Sequence, residues 1–445
     1  MQIKCLSGIF IGLYVVAATS AVAAPASVRE AMVSQLQLLA LLPEQHALQQ
    51  YVGPLRQSPQ SASTITYQAQ QALQRFWQQH GVDITNSQQL ADDNFFRVST
   101  KVSALLRLAD TAPWPQLEPG GWLRPGDSHR LIPLIAERLY LLGDMPLASD
   151  ADYAYSASIA EAVRHFQARH GLKVDAVIGQ QTLYWLNVSP LQRAKQLARE
   201  YVAETSVRFN LPAQYILVNV PAYELSLVDQ QQLVMQSKVI VGLPYRQTPM
   251  LQSEISSIVL NPSWHVPRSI VRRNLLAHIR ADADYLQHQA FEAYDYQGQK
   301  VALTEVNAAA DIDGHFPYRL IQKPGEHNAL GRYKFHFSNS YDVYLHDTPE
   351  KSLFAKSKRA LSSGCVRVEK AAQLAEWLAQ HAIVDQSKWQ QMQNDFNTTQ
   401  WFKLKQKLPV YIVYWTAWVN NQGVAQFRPD IYHKQKRQIS GEYTN

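Results

Sequence analysis

The sequence predicts a multidomain α+β protein, with a helical N-terminal region followed by a β-rich C-terminal domain. Apolar residues recur at helical spacing up to about residue 209, and from residue 216 the pattern changes to short β-branched runs separated by turn residues. The chain has 445 residues, of which 46% are hydrophobic. At ~150 residues per domain, this length predicts about three domains. The composition excludes both a disordered chain and a disulfide-stapled miniprotein.

Residues 1–23 are predicted to be a secretory signal peptide. Lys4 supplies the positive end, residues 9–18 are apolar, and residues 21–23 read Ala-Val-Ala, a small-residue cleavage site. We expect export with cleavage, and an uncleaved anchor is the alternative. Cys5 lies inside this segment, so Cys365 is the one cysteine of the expected mature chain.

Residues 24–122 are predicted to form a helical scaffold region without chemistry of its own. Met32, Leu36 and Leu39 lie at helical spacing, and a Pro/Gly cluster over residues 113–121 marks the next boundary.

Residues 123–188 carry three predicted helices. The first has an apolar stripe from Leu131 to Leu142 and is closed by Gly143, the second ends at Gly171, and Gly179 precedes the third, in which Leu183 and Leu186 are expected to face inward. This segment resembles the three-helix peptidoglycan-binding domain through the motifs RPGD at 124–127, AVRHFQ at 162–167 and HGLKVD at 170–175. The resemblance implies cell-wall binding, and a purely structural helical bundle is the alternative.

A helical connector is predicted over residues 189–211, followed by a β-rich domain over residues 212–429. Its early strands are expected at 216–220, 225–228, 233–235, 239–241 and 258–260, and a closing hairpin is expected to pair 410–414 with 426–427 around a turn at 420–423. Residues 268–317 are predicted to form a helical insertion that acts as a capping lid, or else a packing embellishment. Residues 430–445 form a basic tail that contains KQKR at 434–437.

The chemistry is predicted at Cys365 and His346. A thiol becomes a good nucleophile when an imidazole or a helix N-terminus lowers its pKa from about 8.5, and both are expected here because an amphipathic helix follows Cys365. Tyr344 and His346 share one face of a predicted strand, and Gly364 allows close approach of a substrate. These residues alone predict thiol acyl transfer, with His346 as the base.

The motifs around these residues resemble the signature of the YkuD-like L,D-transpeptidase catalytic domain. The resemblance rests on His346 with SGCVR at 363–367, and on VG at 241–242, TP at 248–249 and NPSW at 261–264. With the helical module and the insertion, the chain is most similar to the large YcbB-type enzymes, which implies the Gram-negative periplasm. It departs from the common family pattern at Ser363, where that pattern has a histidine, although the YcbB-like branch carries serine there.

The resemblance implies that the thiol attacks a tetrapeptide stem of peptidoglycan, releases D-alanine, and passes the acyl group to a second stem in a 3→3 cross-link. His346 would be the base, the Asp347 backbone carbonyl would orient it, and backbone amides near Gly364 would hold the oxyanion. The implied substrate-binding residues are Tyr344, Arg367, Ser363 and Trp264. Carbapenem β-lactams are the implied inhibitors, and other cell-wall synthesis proteins are possible partners. No cofactor and no metal are expected.

Several alternatives remain at this stage. The same fold could act as an L,D-carboxypeptidase or a lipoprotein-anchoring enzyme. An alternative from a different functional class is a non-catalytic peptidoglycan-binding scaffold. A zinc amidase would need a motif such as His-Glu-x-x-His, which the sequence lacks. The net charge of +6 would suit nucleic acid, but the chain has no aromatic-basic RNA motif and no dense basic run outside its tail, so nucleic acid is not a predicted partner.

Overall fold

The structure is a computed structural model that describes residues 26–57, 62–146, 152–310 and 316–435. The predicted signal peptide and residues 436–445 of the predicted tail lie outside the described residues. Within the described ranges, no helix has both the length and the apolar character needed to cross a bilayer. The chain divides into two compact units, residues 1–99 and 100–445, which are described separately.

The first unit is helical. It contains α1 (Ala26–Leu39), α2 (Gln49–Gln57), α3 (Ala62–Gln79) and the first part of α4 (Asp93–Thr111), with 3-10 turns at His46–Leu48 and Ser87–Leu90. The residues predicted to share one face of the first helix, Met32, Leu36 and Leu39, are all buried.

The second unit begins with the rest of α4 and then forms a helical module. Its helices are α5 (Ile132–Leu141), α6 (Ala157–Arg169), α7 (Gln180–Asn187) and the connector α8 (Pro190–Arg208). Gly143 and Gly171 have φ of 84° and 62° and follow α5 and α6, as the sequence predicts for helix C-termini. In α7, Leu186 is buried as the sequence predicts, and Leu183 is half-buried. Thr182 and Trp185 are also buried, and their i, i+3, i+4 spacing with Leu186 puts the three residues on one helix face.

The β-rich domain starts with β1 (Tyr215–Asn219), β2 (Glu224–Asp229), β3 (Gln232–Gly242) and β4 (Leu251–Leu260). The two runs predicted at 233–235 and 239–241 are parts of the single strand β3. Its first half pairs with β2, and its second half pairs with strands from later in the chain.

The insertion follows β4. It contains β5 (Trp264–His265), α9 (Arg268–Ile270), a π-helical stretch (Val271–Leu275), α10 (Leu276–Ala281), α11 (Tyr285–His288), β6 (Phe291–Tyr294), β7 (Lys300–Val301), α12 (Leu303–Ala310) and β8 (Arg319–Gln322). In the described part of the chain, its four strands pair in the order β5–β8–β6–β7. A separate apolar core around Ile279, Leu286 and Phe291 supports it. Residues 311–315 of the predicted insertion lie outside the described residues.

The remaining elements are β9 (Tyr333–Phe337), β10 (Leu345–His346), β11 (Ala360–Ser362), β12 (Val366–Val368), α13 (Ala371–His381), α14 (Gln386–Gln391), β13 (Gln400–Val413), β14 (Ala417–Val419) and β15 (Ala425–Phe427), with 3-10 turns at Lys351–Ala355 and Met392–Asn394. Among the described residues, nine strands pair in the order β11–β3–β12–β10–β9–β4–β13–β1–β2, and β2 also pairs with β3. This last pairing closes the sheet on itself. Buried side chains such as Val366, Leu374 and Leu378 join the sheet and α13 in one apolar core.

The predicted closing hairpin is partly wrong. Residues 410–413 belong to β13, which pairs antiparallel with β4 and parallel with β1. The chain leaves this strand at Trp415, whose backbone N–H donates to Asn219 Oδ1 (3.0 Å) and whose carbonyl accepts from Asn219 Nδ2 (3.2 Å). The hairpin forms instead between β14 and β15, because β13 already has a strand on each side.

Candidate functional site

Cys365 lies in a short turn between β11 and β12. Ser362 Oγ organises this turn, since it donates to the Cys365 carbonyl (2.5 Å) and accepts from the Gly364 amide (3.1 Å). Gly364 has φ of +124°, a conformation that side-chain-bearing residues rarely adopt. The Cys365 side chain is half-buried at the start of β12.

A second turn, residues 242–248, packs directly against the turn that carries the thiol. Thr248 is fully buried, and its Oγ1 donates to the Gly364 carbonyl (2.8 Å) and accepts from the Gly242 amide (2.9 Å). A Cβ at Gly242 would lie 2.0 Å from the Arg246 carbonyl oxygen, so only glycine fits this position. The VG and TP motifs noted in the sequence therefore build a rigid support for the nucleophile turn.

Tyr344 is the side chain most closely associated with the sulfur. The Tyr344 hydroxyl and backbone amide lower the pKa of the Cys365 thiol, and Trp264 lowers that of Tyr344. The Cys365 Sγ also lies 4.0 Å from the Asp342 carbonyl oxygen. Burial, followed by the neighbouring Cys365, raises the pKa of Tyr344. Lys334 Nζ lies 4.0 Å from the centroid of the Tyr344 ring, in a cation–π contact.

His346 is 5% exposed, and its ring centroid lies 5.5 Å from that of Tyr344. Its Nδ1 is 2.5 Å from the Asp347 carbonyl oxygen. Because a carbonyl only accepts, Nδ1 carries the proton and Nε2 is left with a free electron pair. Burial, followed by the charge of Arg367, lowers the pKa of His346 to about 3, although the backbone carbonyls of Asp347 and Leu330 act in the opposite direction. The imidazole is therefore neutral at physiological pH and able to accept a proton.

Asp347 is held from several sides. Its carboxylate accepts from the Arg332 amide (3.0 Å) and forms an ion pair with Lys351. Gly331 packs against this carboxylate so closely that an added Cβ would lie 2.5 Å from Asp347 Oδ2. These contacts fix the segment whose carbonyl meets the imidazole.

Arg367 lies beside both reacting groups on β12, where it is the register partner of His346 on β10. Its guanidinium forms an ion pair with Glu350. Its positive charge lowers the pKa of Cys365 as well as that of His346.

Ser363 is exposed, and its side chain hydrogen-bonds to Arg246. Its Oγ accepts from Arg246 Nη1 (2.8 Å), and the same nitrogen donates to Asn274 Oδ1 (3.1 Å) in the insertion. Arg246 therefore connects the insertion to the nucleophile turn.

Two expectations about thiol activation are wrong. Burial raises the pKa of the Cys365 thiol, and the hydrogen bonds from Tyr344 and the charges of Lys334 and Arg367 oppose it only in part. The helix that was expected to help, α13, begins at Ala371, after β12. In this structure the Gly364 amide, which was expected to hold an oxyanion, donates to Ser362 Oγ.

Sequence reasoning missed the roles of Lys334, Arg246 and Thr248. The alternation in β9 was a usable signal, because Tyr333, Phe335 and Phe337 are buried and this leaves Lys334 on the opposite face with the site residues. Arg246 had no comparable signal. In the described ranges, no group of three or more His, Cys, Asp or Glu side chains is arranged to hold a metal ion.

Two segments of the chain match known family models. Residues 213–412 match the YkuD family model, described as "L,D-transpeptidase catalytic domain", and residues 131–186 match the model described as "Putative peptidoglycan binding domain". Residues 213–412 are therefore similar to an L,D-transpeptidase catalytic domain, and residues 131–186 are similar to a peptidoglycan-binding domain. The match to the catalytic model ends before the hairpin β14–β15.

Among individual proteins, the chain is similar to a curated Haemophilus influenzae protein named "Putative L,D-transpeptidase". The two are 39% identical over 217 residues, which is 49% of this chain and 44% of that relative. The matched region is thus less than half the length of the curated relative.

Two solved structures also match parts of the chain. An L,D-transpeptidase from Mycobacterium smegmatis is 10% identical, with a TM-score of 0.23 over 45% of this chain and 58% of its own. One from Stackebrandtia nassauensis is 13% identical, with a TM-score of 0.26 over 67% of this chain and 96% of its own. TM-scores this low establish no common fold by themselves.

Proposed function

We propose that this protein is a cysteine-dependent L,D-transpeptidase that forms 3→3 cross-links in peptidoglycan. Cys365 attacks the carbonyl that joins the third residue of a tetrapeptide stem to its terminal D-alanine. The C–N bond breaks, D-alanine leaves, and a thioester remains on the sulfur. The side-chain amine of the third residue of another stem then attacks the thioester and regenerates the thiol.

The observation that carries this proposal is the environment of the sulfur. Cys365 lies beside Tyr344, which lowers the pKa of the thiol, and the adjacent β10 holds a neutral imidazole whose Nδ1 is anchored by the Asp347 carbonyl. Within the YkuD-family domain, this arrangement provides a nucleophile and a base for one acyl-transfer reaction.

The directions of the two pKa shifts favour a resting state with a neutral thiol and a neutral imidazole. The thiol proton moves to His346 as the sulfur attacks, and His346 returns it to the departing amine. General acid–base catalysis of this kind contributes about 10²- to 10⁴-fold. Lys334 and Arg367 supply positive charge where negative charge develops on the sulfur and the carbonyl oxygen.

The direct test uses purified protein and disaccharide-tetrapeptide. We expect free D-alanine and 3→3 dimers from the intact chain, and neither from Cys365→Ala. An Arg272→Gln variant, altered at an exposed position of the insertion, is the matched control and should behave like the intact chain. Equal dimer formation with and without the thiol would refute the proposal.

The same assay separates the acceptor alternatives. Release of D-alanine with accumulation of tripeptide and no dimer would identify water as the acceptor, and hence a carboxypeptidase. When a lipoprotein with a free lysine is added to the assay, formation of peptide-linked lipoprotein without stem dimers would identify the lipoprotein lysine as the acceptor.

A carbapenem tests the thiol without a peptide, because it offers a strained amide carbonyl to the same sulfur. We expect the intact mass of the protein to increase by one carbapenem and Cys365→Ala to remain unmodified. No adduct on the intact chain would favour a non-catalytic scaffold.

We also propose that the chain is exported to the periplasm and that residues 131–186 attach it to the wall. The support is the signal-like sequence of residues 1–23 and the peptidoglycan-binding family match. Cell fractionation with N-terminal sequencing tests the first proposal, with Ala24 expected as the first residue. Sedimentation of the full chain with isolated sacculi tests the second, and recovery in the supernatant would count against it.

A further inference from the structure

Arg246 occupies an unusually well-supported position beside the nucleophile. It lies in the turn over residues 242–248, which the Gly242 and Thr248 contacts hold against Gly364. The Tyr432 hydroxyl adds a further tie, since it donates to the Gly242 carbonyl (2.7 Å) and accepts from the Thr248 amide (3.1 Å). The backbone at Arg246 is therefore fixed before any substrate arrives.

The partners of the Arg246 guanidinium are both neutral. Nη1 donates to Ser363 Oγ and Asn274 Oδ1, while Nε is buried and, among the described residues, has no hydrogen-bond partner. Of the other cations near the site, Arg367 is paired with Glu350, Lys351 is paired with Asp347, and Lys334 lies over the Tyr344 ring. Arg246 is thus a cation beside the nucleophile turn that has neutral hydrogen-bond partners and an unused donor.

A guanidinium has five N–H donors, and its Nε/Nη2 edge matches the two oxygens of a carboxylate. In Arg246 the Nε is buried, so an incoming carboxylate would accept from Nη2, for which no hydrogen bond is found among the described residues, and would neutralise the charge.

We propose that Arg246 binds the terminal carboxylate of the donor stem, on the D-alanine that leaves. This inference rests on the proposed function and adds the element that selects the donor. The scissile carbonyl carbon and the carboxylate carbon of that D-alanine are three bonds apart, which is about 4 Å at most. Arg246 contacts Ser363, which is two residues from Cys365. The Cα atoms of Ser363 and Cys365 are therefore at most about 7 Å apart. A carboxylate on Arg246 and a carbonyl on the sulfur are compatible with one bound donor.

The test compares two donors, a tetrapeptide acid and the same peptide with a C-terminal carboxamide. The readouts are release of D-alanine or D-alaninamide and thioester formation by intact mass. We expect the intact protein to prefer the acid by about tenfold to a hundredfold in kcat/KM, as for a charge-assisted hydrogen bond. Arg246→Met should reduce this preference to about one by slowing the acid alone, and Arg246→Lys should keep part of it.

Two controls isolate the role of the charge. Arg272→Met removes an exposed arginine of the insertion and should leave the acid/amide ratio unchanged. Alkylation of Cys365 by iodoacetamide, which has no carboxylate, should proceed at the same rate in Arg246→Met as in the intact protein.

The outcomes separate this inference from the proposed function. No turnover of either donor by the intact protein would refute the proposed function. Turnover of both donors with no acid preference, or an equal loss on both donors in Arg246→Met, would overturn the role of Arg246 and leave the transpeptidase proposal intact.

Discussion

Burial is the main influence on the charge states of Cys365 and His346, and it outweighs any interaction between the two groups. Burial disfavours the charged form of each group, so the pKa of the thiol rises and that of the imidazole falls. The positive charges of Lys334 and Arg367 lower both pKa values. These two cations therefore stabilise the thiolate form of Cys365 and destabilise the imidazolium form of His346.

Lys334 provides a prediction at the scale of a single residue. Lys334→Met removes a charge that lowers the pKa of the thiol, so that pKa should rise further and less thiolate should be present at any given pH. We expect alkylation of Cys365 at pH 7 to slow by about threefold to tenfold. The measurement is the pH profile of the alkylation rate.

Lys334→Arg retains the charge and should restore most of the rate. Lys403→Met, at an exposed position of β13, should leave the profile unchanged. A profile for Lys334→Met that superimposes on that of the intact protein would contradict the electrostatic role.

The two-residue strand β10 is the element that assembles the site. It lies between β9 and β12, and its register places His346 opposite Lys334 on one side and Arg367 on the other. The turn before β9 continues this support, because Gly331 packs on the Asp347 carboxylate. Local strand pairing alone thus brings three charged or titratable groups together.

Gly331→Ala tests this support. The new Cβ would collide with Asp347 and displace the carbonyl that holds His346, so we expect kcat to fall by about tenfold to a hundredfold. Gly423→Ala is the matched control, since both glycines have positive φ (59° and 74°) but the control Cβ meets no atom within 4 Å. Gly423→Ala should lose about 1 kcal/mol of stability because of its positive φ, and Gly331→Ala should lose more because of the added collision. An equal effect of the two variants on kcat would contradict the positioning role.

On the scale of the whole second unit, the hairpin β14–β15 joins the helical module to the catalytic domain. Phe427 stacks on His170 with ring centroids 5.4 Å apart, and Arg428 Nη1 donates to the Arg169 carbonyl (2.9 Å). His170 Nδ1 is 2.6 Å from the Phe166 carbonyl, and Nε2 is 2.8 Å from Arg193 Nη1. Only a neutral ring protonated on Nδ1 satisfies both partners.

This arrangement predicts acid sensitivity. Burial, followed by Arg169 and Arg193, lowers the pKa of His170 well below its ordinary value. In the unfolded chain this histidine takes up a proton as the pH falls below about 6.5, whereas the folded chain does not, so folding stability falls with decreasing pH. Thermal unfolding measured from pH 7 to pH 5 should show Tm decreasing.

His170→Gln should have a lower Tm at pH 7, because ring packing is lost, and a shallower decrease toward pH 5. His165→Gln, at an exposed position on the same helix, should keep the slope of the intact protein. Parallel curves for His170→Gln and the intact protein would show that another group is responsible.

The sequence by itself determined what depends on neighbouring residues: the α+β class, the family of the catalytic segment, and Cys365 and His346 as the candidate reacting groups. Helical periodicity, glycine stops and short motifs encode these features locally. Only the tertiary structure decided the place of β13, the contacts of Arg246 and Lys334, and the raised pKa of the thiol. These features depend on which distant segments of the chain meet and on how much water they exclude. Neither the long-range contacts nor the burial can be read from short stretches of neighbouring residues.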